Sequence, residues 1–137
     1  VQGILDLVSG GTVTQFARLT KIFDLATATG TYAATGAGFV PELLIVISNY
    51  NQELTGGIGF SVGSGANNWN WYFEDDSVET SGNGSGHFAD YWPNSSHRVQ
   101  FAVNSLDADG YTCGFTKTGS PTGSFYIEVL CLRFAAD

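Results

Sequence analysis

Basic residues are scarce in this sequence. Five Lys and Arg stand against 13 Asp and Glu, which gives a formal net charge of −8. Proteins that bind nucleic acids need cationic side chains to neutralise phosphates, and anionic membrane surfaces attract the same side chains. The composition therefore argues against both, and we expect neither nucleic acid nor membrane among the partners. The ordinary role of such a charge is solubility.

Cysteine and long apolar runs are also scarce. The two cysteines, Cys113 and Cys131, are too few for a disulfide framework or a cysteine-based metal site. No apolar stretch reaches the ~20 residues of a membrane-spanning helix. The first residues, Val1–Ile4, lack the basic segment that opens a signal peptide, so we expect synthesis in a cytoplasm.

Apolar residues and glycines are abundant. The chain has 137 residues, of which 43% are hydrophobic and 14% aromatic, enough to build one core without metals or disulfides. Most of the 18 glycines lie between apolar runs, as expected of turns. Residues 1–11 mix apolar residues with glycines and are predicted to form an N-terminal arm. Residues 12–137 are predicted to form one domain.

The apolar runs are short and alternate with a period of two. Leu43–Ile47 is apolar at every position, which predicts a central strand. Val99, Phe101 and Val103 alternate with smaller or polar residues, which is typical of a strand with one buried face. About ten such runs occur, and no 12-residue segment shows a helical period. The prediction is an all-β, antiparallel β-sandwich, jelly-roll-like in its arrangement.

Turn signals separate these runs. Asp109-Gly110 predicts a tight hairpin turn, and Ser120–Gly123 predicts a second turn. If the strands on either side of the second turn form a hairpin, Cys113 lies nearly opposite Cys131, and a disulfide between them stays an open question. The run Ser81–Gly86 is predicted to be a flexible loop.

One run has an unusual alternation of sizes. Ile58, Phe60 and Val62 alternate with Gly57, Gly59 and Ser61, so one face is bulky and the other nearly bare. A bare strand face permits the close approach of other backbone or of a partner.

Four aromatic residues are the candidate binding residues. Trp69 and Trp71 share one face of a predicted strand, where the core is the favoured interpretation and a binding surface the alternative. Tyr91 and Trp92 precede a Pro-Asn-Ser-Ser segment and are the better surface candidates. Aromatic side chains of this kind stack on sugar rings or serve as energetic centres of protein interfaces.

A nucleophilic serine is one possible sign of catalysis. Gly59–Gly63 matches the G-x-S-x-G pattern with Ser61 as the nucleophile, and Asp90 and His97 follow in the order of a catalytic triad. The match lies within a predicted strand and lacks the helix that the motif requires. We therefore expect no catalytic residue and no enzymatic activity.

Metal-binding patterns are incomplete. The acidic cluster of Glu74, Asp75, Asp76 and Glu79 and the calcium-loop-like start at Asp107–Gly110 both lack a full ligand set, so a solvated loop and a hairpin turn are favoured. The two histidines, His87 and His97, are too few for a zinc site. We expect neither a metal nor another cofactor.

Three segments carry a resemblance to a known family. They are Gly36–Ile47, Gly56–Ser61 and Leu106–Thr112, the last followed by the strand Phe125–Phe134. In this order they resemble small virion proteins of tailed bacteriophages, over roughly residues 30–134. The last two strands also resemble those of H-type lectins, which are six-stranded sandwiches that form trimers. Residues 64–98 and the N-terminal arm match neither.

This resemblance implies a structural role in the virion. The expected function is that of a capsid decoration (cement) protein, which stabilises the head by binding the major capsid protein or other virion proteins. It implies a homo-oligomer, with a trimer expected, located on the capsid surface or tail after synthesis in the host cytoplasm. The alternative is a tail or fibre receptor-binding protein that uses Tyr91, Trp92 and residues 64–98 to bind a host glycan.

Overall fold

The computed structural model describes residues 13–51, 56–62, 68–74, 80–94 and 96–135. Within these ranges the chain forms strands and no helix, so the prediction of an all-β fold is confirmed. The predicted N-terminal arm, residues 1–11, lies outside the described residues, and the predicted division at residue 12 stays a prediction. The strands are β1 (Val13–Asp24), β2 (Gly30–Thr35), β3 (Leu43–Tyr50), β4 (Gly56–Val62), β5 (Asn68–Glu74), β6 (Thr80–Ser85), β7 (Ala89–Asn94), β8 (His97–Asp107), β9 (Gly110–Thr118) and β10 (Ser124–Phe134).

The strands form two antiparallel sheets that pack as a sandwich. The six-stranded sheet has the order β1-β10-β3-β4-β5-β6, and the four-stranded sheet has the order β2-β9-β8-β7. β3 lies between β10 and β4, which confirms the prediction of a central strand. The inward side chains of β3, Leu44 and Val46, are fully buried between the sheets.

Phenylalanines from both sheets form the centre of the core. Phe101 of β8 lies 5.3 Å from Phe125 of β10 between ring centroids, and 5.1 Å from Phe115 of β9. Phe23 at the end of β1 lies 4.8 Å from Phe101. Each buried aromatic side chain contributes roughly 1.5–3 kcal/mol through lost contact with water. The packing of these rings therefore stabilises the stacking of the two sheets.

The hairpin predicted at Asp109-Gly110 is present between β8 and β9. The Asp109 carboxylate accepts hydrogen bonds from the backbone N–H groups of Gly36 (3.0 Å) and Gly38 (2.6 Å). The Asp107 carboxylate accepts hydrogen bonds from the hydroxyl groups of Ser105 and Thr112. Protein donors thus bond both carboxylates, and Asp109 joins this turn to the segment between β2 and β3.

The hairpin considered around Ser120–Gly123 is wrong. β9 pairs with β8 and β2, whereas β10 pairs with β1 and β3, so this turn crosses from one sheet to the other. Hydrogen bonds anchor the crossing, because the Thr122 carbonyl accepts from the Tyr50 hydroxyl and Ser124 N donates to Asn51 Oδ1.

The loop predicted for Ser81–Gly86 is also wrong over most of its length. Thr80–Ser85 is strand β6, which pairs with β5 at the end of the six-stranded sheet. A glycine-rich segment lacks the side-chain alternation that marks a strand. Its backbone N–H and C=O groups can still complete the ladder of a neighbouring strand.

The bare face of β4 faces inward. Gly57, Gly59 and Ser61 are buried, and a Cβ atom on Gly59 would overlap the carbonyl oxygen of Phe88, just before β7. The close approach of backbone that the alternation predicted is therefore confirmed. It places the bulky side chains of β4 on the outside of the sheet.

Replacing Gly59 with Ala is expected to destabilise the fold. The added methyl group has no space beside the Phe88 carbonyl, and overpacking of this kind costs about 1–3 kcal/mol. Urea unfolding of the variant, followed by circular dichroism, measures the loss. The control is Gly30→Ala, where the nearest heavy atom would lie 4.0 Å from the added methyl carbon. Equal stability of the two variants would contradict the packing described for β4.

Candidate functional site

The outward side of the six-stranded sheet carries a continuous apolar surface, here called the apolar face. Antiparallel register brings its residues together in rows across the strands: Ile45 lies beside Phe60 and Leu130, and Ile47 lies beside Ile58. The described residues that form it are Phe16, Ile22, Leu130, Ile45, Ile47, Ile58, Phe60, Val62, Trp69 and Trp71.

Exposure of large apolar side chains is concentrated on this face. Among the described residues nine such side chains are exposed, and all but Val40 belong to the apolar face. Ile47 is 60% exposed, Trp69 is 68% exposed and Trp71 is 58% exposed. Single exposed apolar residues are common on soluble proteins, whereas a contiguous patch of this kind marks an interaction surface.

A shallow depression lies on the β1–β10–β3 side of the apolar face. It has a volume of about 230 Å³ and is lined by Arg18, Ile45, Ile47, Glu128 and Leu130. Arg18 Nη1 lies 3.2 Å from Glu128 Oε1. Because both side chains are largely exposed, this ion pair contributes at most about 1 kcal/mol to stability.

Trp69 and Trp71 lie on the apolar face, so their favoured interpretation as core residues was wrong. Two inward positions of β5 belong to Asn68 and Asn70, which are buried. The Asn68 side chain accepts a hydrogen bond from the backbone N–H of Val103 on the opposite sheet (3.2 Å). Backbone lies so close to this part of the six-stranded sheet that small and polar side chains, rather than indoles, fill the space.

The apolar face does not include the Tyr91 side chain. Tyr91, expected at the surface, is buried: its ring stacks on Tyr50 at 4.3 Å and lies 6.0 Å from Phe125. The side chain of Trp92 lies outside the described part of the structure. Of the four candidate binding residues, Trp69 and Trp71 are the two whose described side chains lie together on the apolar face.

The part of the apolar face on β3 and β4 was not predicted as a surface from the sequence. Ile47, Ile58 and Phe60 were assigned to strands and not to a surface. The signal was present, because bare positions that admit close backbone must point inward, so the bulky positions between them must point outward.

A buried carboxylate lies between β7 and β8 and pairs with an arginine. Arg98 donates to the Asp90 carboxylate from Nη2 (2.7 Å) and Nε (3.2 Å), and the Gln100 amide lies 3.0 Å from His87 Nδ1. Burial lowers the pKa of His87; Asp90 opposes the change and Arg98 adds to it. The arginine compensates the charge of Asp90, since an unpaired carboxylate at a buried position would be strongly destabilising.

Ser61 and Asp90, two residues of the possible catalytic triad, have separate surroundings in the structure. Ser61 is fully buried on the inward face of β4, and among the described residues its hydroxyl group has no hydrogen-bond partner. Asp90 is engaged by Arg98. The described residues therefore show no base bonded to the Ser61 hydroxyl.

The described residues offer neither a cluster of metal ligands nor a membrane-spanning helix. No group of three or more His, Cys, Asp or Glu side chains that could hold a metal occurs within the described ranges. The acidic cluster at Glu74–Glu79 lies outside the described side chains. In the part of the chain that the structure covers, no helix has the length and apolar character to cross a bilayer.

The two cysteines are free and belong to different sheets. Cys113 lies on β9 and Cys131 on β10, and both are fully buried. Burial raises the pKa of the Cys113 thiol to about 12 and that of Cys131 to about 11. Because the thiolate is the reactive form, both should be inert in the native protein.

Thiol labelling tests this arrangement. At neutral pH we expect neither cysteine of the native protein to react with Ellman's reagent, and both to react after unfolding in urea. The control is Thr116→Cys, which places a thiol at an exposed position of β9 and should react at once. Rapid labelling of the native protein, or no labelling after unfolding, would contradict two buried free thiols.

Comparisons with known proteins give little. No family model matches the chain, and no curated protein matches it. Among solved structures it is similar to the tailspike protein gp49 of Acinetobacter baumannii bacteriophage Fri1, described as a capsular polysaccharide depolymerase. The identity is 10% and the TM-score 0.38, over 87% of this chain and 17% of that one. The chain thus spans about a sixth of the tailspike, and its function must be argued from its own residues.

Proposed function

We propose that the protein is a structural component of a bacteriophage virion, a capsid decoration protein that acts by binding and not by catalysis. The observation that carries this proposal is the apolar face, a surface made for contact with another protein. The three segments that resemble small virion proteins support the same class, because they include β3, β4 and the β8–β9 hairpin, which build the sandwich.

The proposed mechanism is burial of the apolar face against the capsid lattice and between copies of the chain. A stable interface removes on the order of 1,600 Å² from water, and capsid symmetry repeats it over the shell. The partners are the major capsid protein or other virion proteins, and the trimer expected from the sequence belongs to this proposal. The net charge of −8 would steer the protein towards a basic capsid surface.

Capsid binding tests the proposal. The protein should co-sediment with expanded phage capsids that lack their decoration protein and should raise their melting temperature, because it binds only the assembled state. Phe60→Glu should weaken binding by about tenfold or more, since it places an unpaired charge in the contact. Thr116→Glu, on the outer side of the four-stranded sheet, is the charge-matched control. Absence of binding by the unaltered protein to the capsids of its own phage would overturn the proposal.

A second candidate function is recognition of a host glycan at the tail. The observation that favours it is the pair of exposed indoles at Trp69 and Trp71, which lie two residues apart on one face of β5. Such aromatic surfaces can stack on sugar rings. The burial of Tyr91 removes one residue of the original candidate set.

A glycan array separates the two functions. If the glycan alternative holds, the protein binds a restricted set of sugars, and Trp69→Ala combined with Trp71→Ala abolishes the signal because the stacking surface is gone. Phe16→Ala is the control, since it removes an exposed aromatic side chain from the opposite side of the apolar face. An array without any bound sugar, or an equal loss in both variants, would count against the glycan function.

A further inference from the structure

The apolar face has the size of one half of a stable protein interface. Eight large apolar side chains on it are 42–73% exposed. With side-chain areas of about 150–250 Å² for aromatic residues and somewhat less for aliphatic ones, they present on the order of 900 Å² to solvent. The largest apolar patch on a typical monomer is roughly 300–600 Å², whereas each partner of a standard interface buries about 800 Å². A surface of this size calls for a macromolecular partner.

The distribution of charge indicates which partner fits. The chain carries a net charge of −8, so two copies repel each other over most of their surfaces. On the apolar face the described charged side chains are Arg18 and Glu128, which pair with each other, and Asp24 at the end of β1. A second copy can therefore approach this face with much less repulsion than the rest of the chain would impose.

The relief of the apolar face differs between its two sides. The depression lies on the β1–β10–β3 side, and the exposed indoles of Trp69 and Trp71 lie on β5, towards the other side. When two such faces meet, the indole side of one copy can cover the depression of the other. This contact closes with two copies about a twofold axis or with three about a threefold axis.

We propose that a second copy of this chain covers the apolar face, so that the six-stranded sheets of neighbouring subunits pack against each other. The inference rests on the proposed function, because it assigns the apolar face to the contact between copies that the proposed mechanism includes. In a twofold dimer the two sheets would lie about 10 Å apart, the usual spacing of packed sheets. Trp69, Trp71 and Ile47 would lose their contact with solvent.

Sedimentation velocity over a wide range of concentrations tests this inference with the isolated chain. We expect the mass of a dimer or trimer for the unaltered protein. Ile47→Glu should weaken association by at least about tenfold, because it buries an unpaired charge at the centre of the contact. Thr116→Glu should associate like the unaltered protein. Circular dichroism and melting curves should show that both variants fold, as expected for substitutions at exposed positions.

Quenching of tryptophan fluorescence by iodide gives a second measurement that needs no variant. Association should reduce quenching as the concentration rises, because Trp69 and Trp71 become covered. A monomer at every concentration, or an oligomer that Ile47→Glu leaves intact with unchanged quenching, would overturn the inference.

The outcomes separate this inference from the proposed function. A chain that binds capsids as a monomer would leave the decoration function standing and remove the self-association. A chain that associates through the apolar face but ignores capsids would do the opposite.

Discussion

The contact between the Phe88 carbonyl group and Gly59 is the constraint on which the rest of the structure depends. It brings the segment that begins β7 so close to β4 that no side chain fits between them. The inward positions of β4 are accordingly Gly57, Gly59 and Ser61, and those opposite the last two on β5 are the buried Asn70 and Asn68. The bulky side chains that alternate with them, on the outer side of the sheet, form half of the apolar face.

Polar groups replace apolar packing where the layers come close. The Asn68 side chain accepts a hydrogen bond from the backbone N–H of Val103 on the opposite sheet. The backbone carbonyl group of Asn68 accepts a hydrogen bond from Gly86 N. An isolated buried amide costs free energy, whereas an amide that completes backbone hydrogen bonds across two sheets specifies their relative position. The phenylalanine core around Phe101 adjoins this region, since Phe88 N donates to the Phe101 carbonyl group. Aromatic packing and polar contacts thus meet along β8.

Local chemistry predicted most of the strands and one hairpin, and it failed where the choice was not local. The alternation around β4 and the turn at Asp109-Gly110 are fully encoded in adjacent residues. The turn at Ser120–Gly123 is equally visible, but nothing in those four residues states whether the next strand pairs in the same sheet or crosses. Which side chains of β5 point inward depends on the residues packed against this part of the sheet. The size of Trp69 and Trp71 suggested core positions, but the closely packed backbone leaves no space there for indole rings. Strand β6 pairs through its backbone and has no side-chain pattern to detect.

Leaving the apolar face in contact with water forgoes transfer free energy, and this bears on why its residues are apolar. Exposing on the order of 900 Å² of mostly apolar surface forgoes roughly 20 kcal/mol of transfer free energy, far more than the net stability of a domain. Replacing Ile47 or Phe60 with threonine would preserve the strands and remove the liability, because neither residue contributes to the core between the sheets. Folding alone thus gives no reason for these residues to be apolar. Their side chains gain free energy only when another surface covers them, and the contact proposed here supplies that surface.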